Sequence, residues 1–179
     1  GNVFMNRPAL IGGSSPLENI KFVNNFVIKA GFSVGYDWPI HNVDVLVENN
    51  RFLYSTPTFI HVHKITFKRN RVYNPNGGCV SLVIDVNDTD YRNDYLIDEN
   101  IYFTSKSHPF FVRGVTTGTL PGFSETILTW ERTWDPYPTW RLTDSPYGHL
   151  DYDPNGLLSK SPPTGTEIFI RPNKYEPGR

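Results

Sequence analysis

The chain has 179 residues, the span of one domain, and is long enough to bury a core without disulfide staples. A formal net charge of −1 offers no basic excess for nucleic acid or an anionic membrane, and 38% hydrophobic against 20% charged residues is not a disordered composition. The single cysteine, Cys79, excludes an intrachain disulfide, and no apolar run reaches the roughly 18 residues that span a bilayer.

The opening Gly1-Asn2-Val3-Phe4-Met5 lacks the pattern of a signal peptide. Two signals compete over the next stretch. Ser15-Pro16-Leu17-Glu18 resembles a helix capping box, with Gly31 placed to end the helix. Against it stands strict alternation. Phe26, Ile28, Ala30, Phe32, Val34, Tyr36 and Trp38 fall on one face of an extended chain, and Val27, Lys29, Gly31, Ser33, Gly35 and Asp37 on the other. A helical stripe would break that period of two, so one long strand from Phe26 to Trp38 is expected, with at most a helical turn near Pro16. The glycines of the second face suggest close approach by another segment.

Further strands are expected at Val43–Glu48, Phe59–Lys68 and Val80–Val86, with short ones at Ile101–Phe103 and Phe110–Val112. Thr126–Trp134 alternates again, and Ile168–Ile170 is a last candidate. Asn74-Pro75-Asn76-Gly77-Gly78 reads as a hairpin turn. Parallel strands need crossovers, usually helical, and no convincing helix is seen. The expected fold is therefore an all-β antiparallel β-sandwich, jelly-roll-like or Ig-like, formed by a single domain over 1–179. Its Pro-rich segment 135–179 would wrap the surface as a loop-rich extension. One echo stands out: Val47-Glu48-Asn49-Asn50-Arg51-Phe52-Leu53-Tyr54-Ser55 resembles Ile97-Asp98-Glu99-Asn100-Ile101-Tyr102-Phe103-Thr104-Ser105, too briefly to name a repeat.

Three constellations carry chemistry. On one strand, His61 and His63 would share a face and could begin a zinc site, though no third ligand lies at a telling spacing. Asp151, Asp153 and Asn155, with Gly156, match the opening of a calcium loop. The closing glutamate is missing and Pro162 stands in its place, so a plain turn is the simpler reading; Asp85–Asp90 is a second oxygen-rich run. Trp134, Tyr137, Trp140, Tyr147 and Tyr152 form an aromatic set suited to stacking on sugars or anchoring a protein contact. Trp130 shares a strand face with Trp134 and belongs in a core. There is no nucleophile elbow and no phosphate loop.

These features point to a non-enzymatic recognition module that binds a glycan or a protein partner through the aromatic loops. The alternatives are a self-assembling coat, matrix or storage protein, which would be a homo-oligomer, and a metalloenzyme using His61 and His63. No cofactor is expected beyond a possible calcium or zinc ion, and neither nucleic acid nor a membrane span is implied. The setting is left open, with a leaning toward secreted or extracellular, and the glycosylation sequon Asn87-Asp88-Thr89 adds little to it because such triplets arise often by chance.

Overall fold

A computed structural model describes residues 1–12, 15–35, 42–85, 95–106, 110–120, 123–135, 142–145, 148–151 and 153–159. Its described residues are all β, without a helix. The strands lie side by side in parallel, so the antiparallel sandwich is overturned. The chain winds as a solenoid, visiting three sheets in turn and returning one layer further along.

The first coil holds β1 (Val3–Met5), β2 (Ala9–Ile11) and β3 (Glu18–Val23). The second holds β4 (Phe26–Ile28), β5 (Phe32–Val34) and β6 (Asn42–Glu48). The third holds β7 (Arg51–Leu53), β8 (Pro57–Ile60) and β9 (Val62–Lys68). The fourth holds β10 (Arg71–Tyr73), β11 (Val80–Asp85) and β12 (Leu96–Asp98). A fifth begins with β13 (Ile101–Phe103) and β14 (Phe110–Leu120), then departs from the pattern. There β15 (Phe123–Asp135) folds back on β14 as an antiparallel hairpin, and β16 (Leu142–Ser145) pairs with β17 (Gly148–Asp151). Finally β18 (Leu157–Ser159) returns beside β13.

Sheet A is thus β1-β4-β7-β10-β13-β18, sheet B is β2-β5-β8-β11-β14-β15, and sheet C is β3-β6-β9-β12. Parallel neighbours usually imply helical crossovers. Here the crossover of each strand is the passage through the other two sheets. That explains how a helix-free chain builds parallel sheets, and why the sequence expectation failed.

The expected strand from Phe26 to Trp38 is two strands in different sheets. Lys29, at φ 48°, turns the chain from β4 into β5. The turn also shifts the phase of the alternation. In β4 the inward residue is Val27, with Phe26 and Ile28 outside; beyond the corner Ala30, Phe32 and Val34 point inward. Residues 36–41 lie outside the described set. The expected strand over Phe59–Lys68 is likewise broken at His61, φ 49°, into β8 and β9. The Asn74–Gly78 turn joins β10 to β11 in different sheets, so it is a corner and not a hairpin.

Corners repeat in columns. Asn24, Asn49, Arg69 and Glu99 each have positive φ and each precede the asparagine that starts the return to sheet A. Asn6, Lys29 and Tyr54 form a second column between sheets A and B. Asparagine adopts this left-handed region with little strain, whereas arginine and lysine need the surrounding stack to hold them. Backbone bonds run down the columns, as in Asn24 N to Glu48 O at 3.1 Å and Asn49 N to Lys68 O at 3.2 Å.

The core fills the space between the three sheets. Phe22 of the first coil, Phe32 of the second and Phe52, Phe59 and Phe67 of the third form one cluster, with centroid separations of 4.7 Å for Phe22–Phe32 and 5.1 Å for Phe32–Phe52. Phe59 meets Phe67 edge-on at 5.4 Å. These rings meet across the interior from different sheets and fill the space between them.

Candidate binding face

The inner corner between sheets C and A carries a ladder of side-chain amides. Asn2, Asn25, Asn50, Asn70 and Asn100 succeed one another at steps of 23, 25, 20 and 30 residues. Each Oδ1 from Asn25 onward accepts two bonds from the asparagine one coil earlier, one from its backbone N and one from its Nδ2. For Asn70 these are 2.9 and 3.1 Å. Each Nδ2 of Asn50, Asn70 and Asn100 also donates to a main-chain carbonyl, of Phe22, Val47 and Phe67 respectively. Buried amides are thereby satisfied without water.

The ladder ends on a carboxylate. Asp153, fully buried, accepts from Asn100 N at 3.2 Å, Asn100 Nδ2 at 3.0 Å and the Tyr102 hydroxyl at 2.6 Å. A group that only accepts fits the last rung of the ladder among the described residues. Burial raises its carboxyl above the ordinary value more than these bonds lower it. Asn155 turns the other way and donates to Asp98 through N, at 2.9 Å, and Nδ2, at 3.0 Å. Gly156 N closes the turn on Asp153 O at 3.0 Å. A Cβ on Gly156 would collide with the Asp153 carboxylate, as one on Gly77 would with the Asn74 amide. The two Pro-Asn-Gly turns thus share one construction. Within the expected calcium loop the Asp153 carboxylate is engaged by Asn100 and Tyr102, and the Asn155 amide nitrogen by Asp98. Asp151 lies in β17, opposite Leu142, with its side chain outside the described set.

His61 and His63 are not neighbours on a strand. His61 is buried at the corner between sheets B and C, while His63 lies in β9, half-buried and opposite Val43. Among the described residues no three His, Cys, Asp or Glu side chains converge as metal ligands. Cys79 is buried and its thiol is pushed up to about 12, which leaves it protonated and unreactive. Of the aromatic set, Trp134 sits in the backbone of β15 with its side chain outside the described residues; Tyr137, Trp140, Tyr147 and Tyr152 also lie outside them. Trp130 pairs with Gly114 across the hairpin.

The three outer faces differ. Sheet C turns out Lys21, Leu46, Thr66 and Leu96 in one row and Val23, Glu48, Lys68 and Asp98 in the next, and sheet B turns out Leu10, Ser33, Thr58 and Ser81. Sheet A is apolar. One row along it is Val3, Phe26, Arg51, Arg71, Ile101 and Leu157; the next is Met5, Ile28, Leu53, Tyr73, Phe103 and Ser159. Val3, Met5 and Leu157 are 62%, 55% and 56% exposed, high values for large apolar side chains. The Arg51 guanidinium lies over Phe26 at 5.4 Å. Tyr54, at the corner, meets Tyr73 edge-on at 5.4 Å and receives Lys29 over its ring at 5.8 Å. Tyr73 stacks on Phe103 at 4.9 Å with 9° between the planes.

Sequence reasoning missed this face because the corner at Lys29 reverses which residues look outward. The ladder left one trace in the sequence, the echo between Val47–Ser55 and Ile97–Ser105, which is a step of two coils. Comparison with known proteins finds no matching family, no matching curated protein and no matching solved structure. Among the described residues no helix is long and apolar enough to cross a membrane.

Proposed function

We propose that the chain is a non-enzymatic recognition module that presents the outer face of sheet A to a protein partner. The observation behind this reading is the cluster of aromatic rings on that face, with Phe26 beneath Arg51 and Tyr54, Tyr73 and Phe103 in contact. Flat sheets with aromatics and arginine at the centre suit protein contacts. The ring geometry disfavours sugar on this face. Tyr73 and Phe103 cover one another and present edges, whereas sugar stacking needs an open ring face. The glycan version of the reading rests on Trp134, Tyr137, Trp140, Tyr147 and Tyr152, and belongs to that segment alone.

The test places a photo-crosslinking residue at Tyr54 on sheet A, at Thr58 on sheet B or at Lys21 on sheet C, in the native extract. Crosslinks to one defined protein from Tyr54 alone support the reading. Equal yields from all three positions, or glycan-array binding with no protein crosslink, overturn it.

A further inference from the structure

The sequence holds two Asn-Gly pairs, Asn76-Gly77 and Asn155-Gly156, and each follows a proline. A glycine after an asparagine leaves its main-chain nitrogen open to the neighbouring side-chain carbonyl carbon, because no Cβ shields it. By sequence the two pairs rank alike. Their surroundings separate them.

The two turns are built the same way. Gly77 N donates to Asn74 O at 3.2 Å, and Gly156 N to Asp153 O at 3.0 Å. Asn76 and Asn155 are both exposed. The difference lies in what holds each asparagine. Asn155 is fastened to the Asp98 carboxylate, to which it donates through N at 2.9 Å and through Nδ2 at 3.0 Å. Among the described residues nothing bonds the Asn76 amide, so that side chain is free to change rotamer. The backbone around it is fixed. Asn74 Nδ2 donates to Gly78 O at 2.9 Å, Thr104 Oγ1 to Gly77 O at 3.1 Å and Ser105 N to Pro75 O at 3.1 Å.

We propose that Asn76 is a site of spontaneous covalent modification, with water as the only co-reactant, and that Asp98 shields Asn155 from the same reaction. Gly77 N bonds to Asn76 Cγ and the Cγ–Nδ2 bond breaks. Ammonia leaves with the proton that Gly77 N gives up. Water then opens the cyclic imide. Opening at Cγ leaves aspartate. Opening at the main-chain carbonyl carbon of residue 76 reroutes the chain through Cγ and leaves isoaspartate. Nothing is oxidised or reduced. Asn155 must first leave Asp98 before its Cγ can turn toward Gly156 N. Either product at residue 76 sets a negative charge on the corner between sheets A and B, and isoaspartate also lengthens the main chain there. The inference is independent of the outer face of sheet A.

The test ages the full chain in mildly alkaline buffer and digests it. Chromatography and mass spectrometry then resolve the asparagine, aspartate and isoaspartate forms of the peptides bearing residues 76 and 155. Asn76 is expected to convert about tenfold faster than Asn155, the factor set by breaking hydrogen bonds to a charged acceptor. In concentrated urea both pairs keep their Pro-Asn-Gly sequence and lose their surroundings, so the two rates should converge. Asp98→Ala, shown folded by circular dichroism, should raise the Asn155 rate toward that of Asn76. Equal rates in the folded wild type overturn the proposal, as does an Asn76 that converts in urea but not in the folded chain. A ratio that persists in urea also overturns it, because sequence and not structure would then set the difference.

Discussion

Asn70 ties three coils together with one side chain. Its Oδ1 accepts from Asn50, and its Nδ2 donates to Val47 O and Asn100 Oδ1, all out of contact with water. Asn70→Ala should cost about 2–4 kcal/mol in urea unfolding, because four buried partners lose a bond. Asn70→Asp should cost more at neutral pH, since it turns a carboxylate toward two acceptors. At the end of the same ladder, Asp153 makes stability depend on pH. Burial, aided by the charge of Asp98, holds its carboxyl above the ordinary 3.8 against the bonds from Tyr102 and Asn100. Between that value and the raised one, the folded chain keeps a proton that the unfolded chain has lost. The Asp153 contribution is therefore full below this window and declines as pH rises through it. Asp98 behaves oppositely. Burial raises it, but bonds from Asn155 and Glu99 and the charge of Lys68 leave it lowered, so its contribution is lost as pH falls through the lowered value. Urea midpoints from pH 8 to pH 4 should move in favour of the wild type over Asp153→Asn as the pH falls. A difference that does not vary with pH would contradict the assignment.

Some of the strands were legible in the sequence, and their partners were not; β1 (Val3–Met5), β2 (Ala9–Ile11) and β3 (Glu18–Val23) were not expected. Val43, Val45 and Val47 announced β6 by period two, and Val80 and Leu82 announced β11. Alternation states which residues share a face, but it does not state which strand lies alongside. The corners were harder still. Lys29 and His61 are ordinary strand residues by composition, and only their positive φ, imposed by the stack, breaks the two runs they interrupt. The ladder escaped because its steps of 23, 25, 20 and 30 residues hide a repeat that equal steps would reveal. The readable core was Phe22-Val23-Asn24-Asn25, Val47-Glu48-Asn49-Asn50, Phe67-Lys68-Arg69-Asn70 and Ile97-Asp98-Glu99-Asn100. Of the expected site residues, the histidine pair was separated by the corner that splits its strand. Gly35 marks an element boundary that can be tested. It has φ 84°, its N donates to Ile11 O at 2.9 Å, and a Cβ there would strike the Ile60 carbonyl. Gly35→Ala should lower stability by about 1–3 kcal/mol, read as a fall in urea midpoint. Gly31→Ala meets nothing within 4 Å and serves as the control.

At the scale of the molecule, each coil touches mainly its two neighbours, so stability accumulates coil by coil. Phe52, enclosed on both sides, should cost about 3–5 kcal/mol on substitution by alanine. Phe4, half-buried in the first coil, should cost less than half as much, and comparing the two denaturation curves checks this. The connections between sheets do not vary alike. From sheet C to sheet A the chain always turns on two adjacent residues, Asn24-Asn25, Asn49-Asn50, Arg69-Asn70 and Glu99-Asn100, because the ladder admits no other geometry. From sheet B to sheet C the connection ranges from His61 alone to residues 86–95. One edge of the solenoid is thus free to lengthen, while the edge bearing the asparagines is fixed to the residue. A foreign loop inserted along the first edge leaves every ladder bond in register, and a single residue added between Arg69 and Asn70 unseats the amide beneath two coils. Tolerance to insertion and deletion in this chain is a property of direction around the coil.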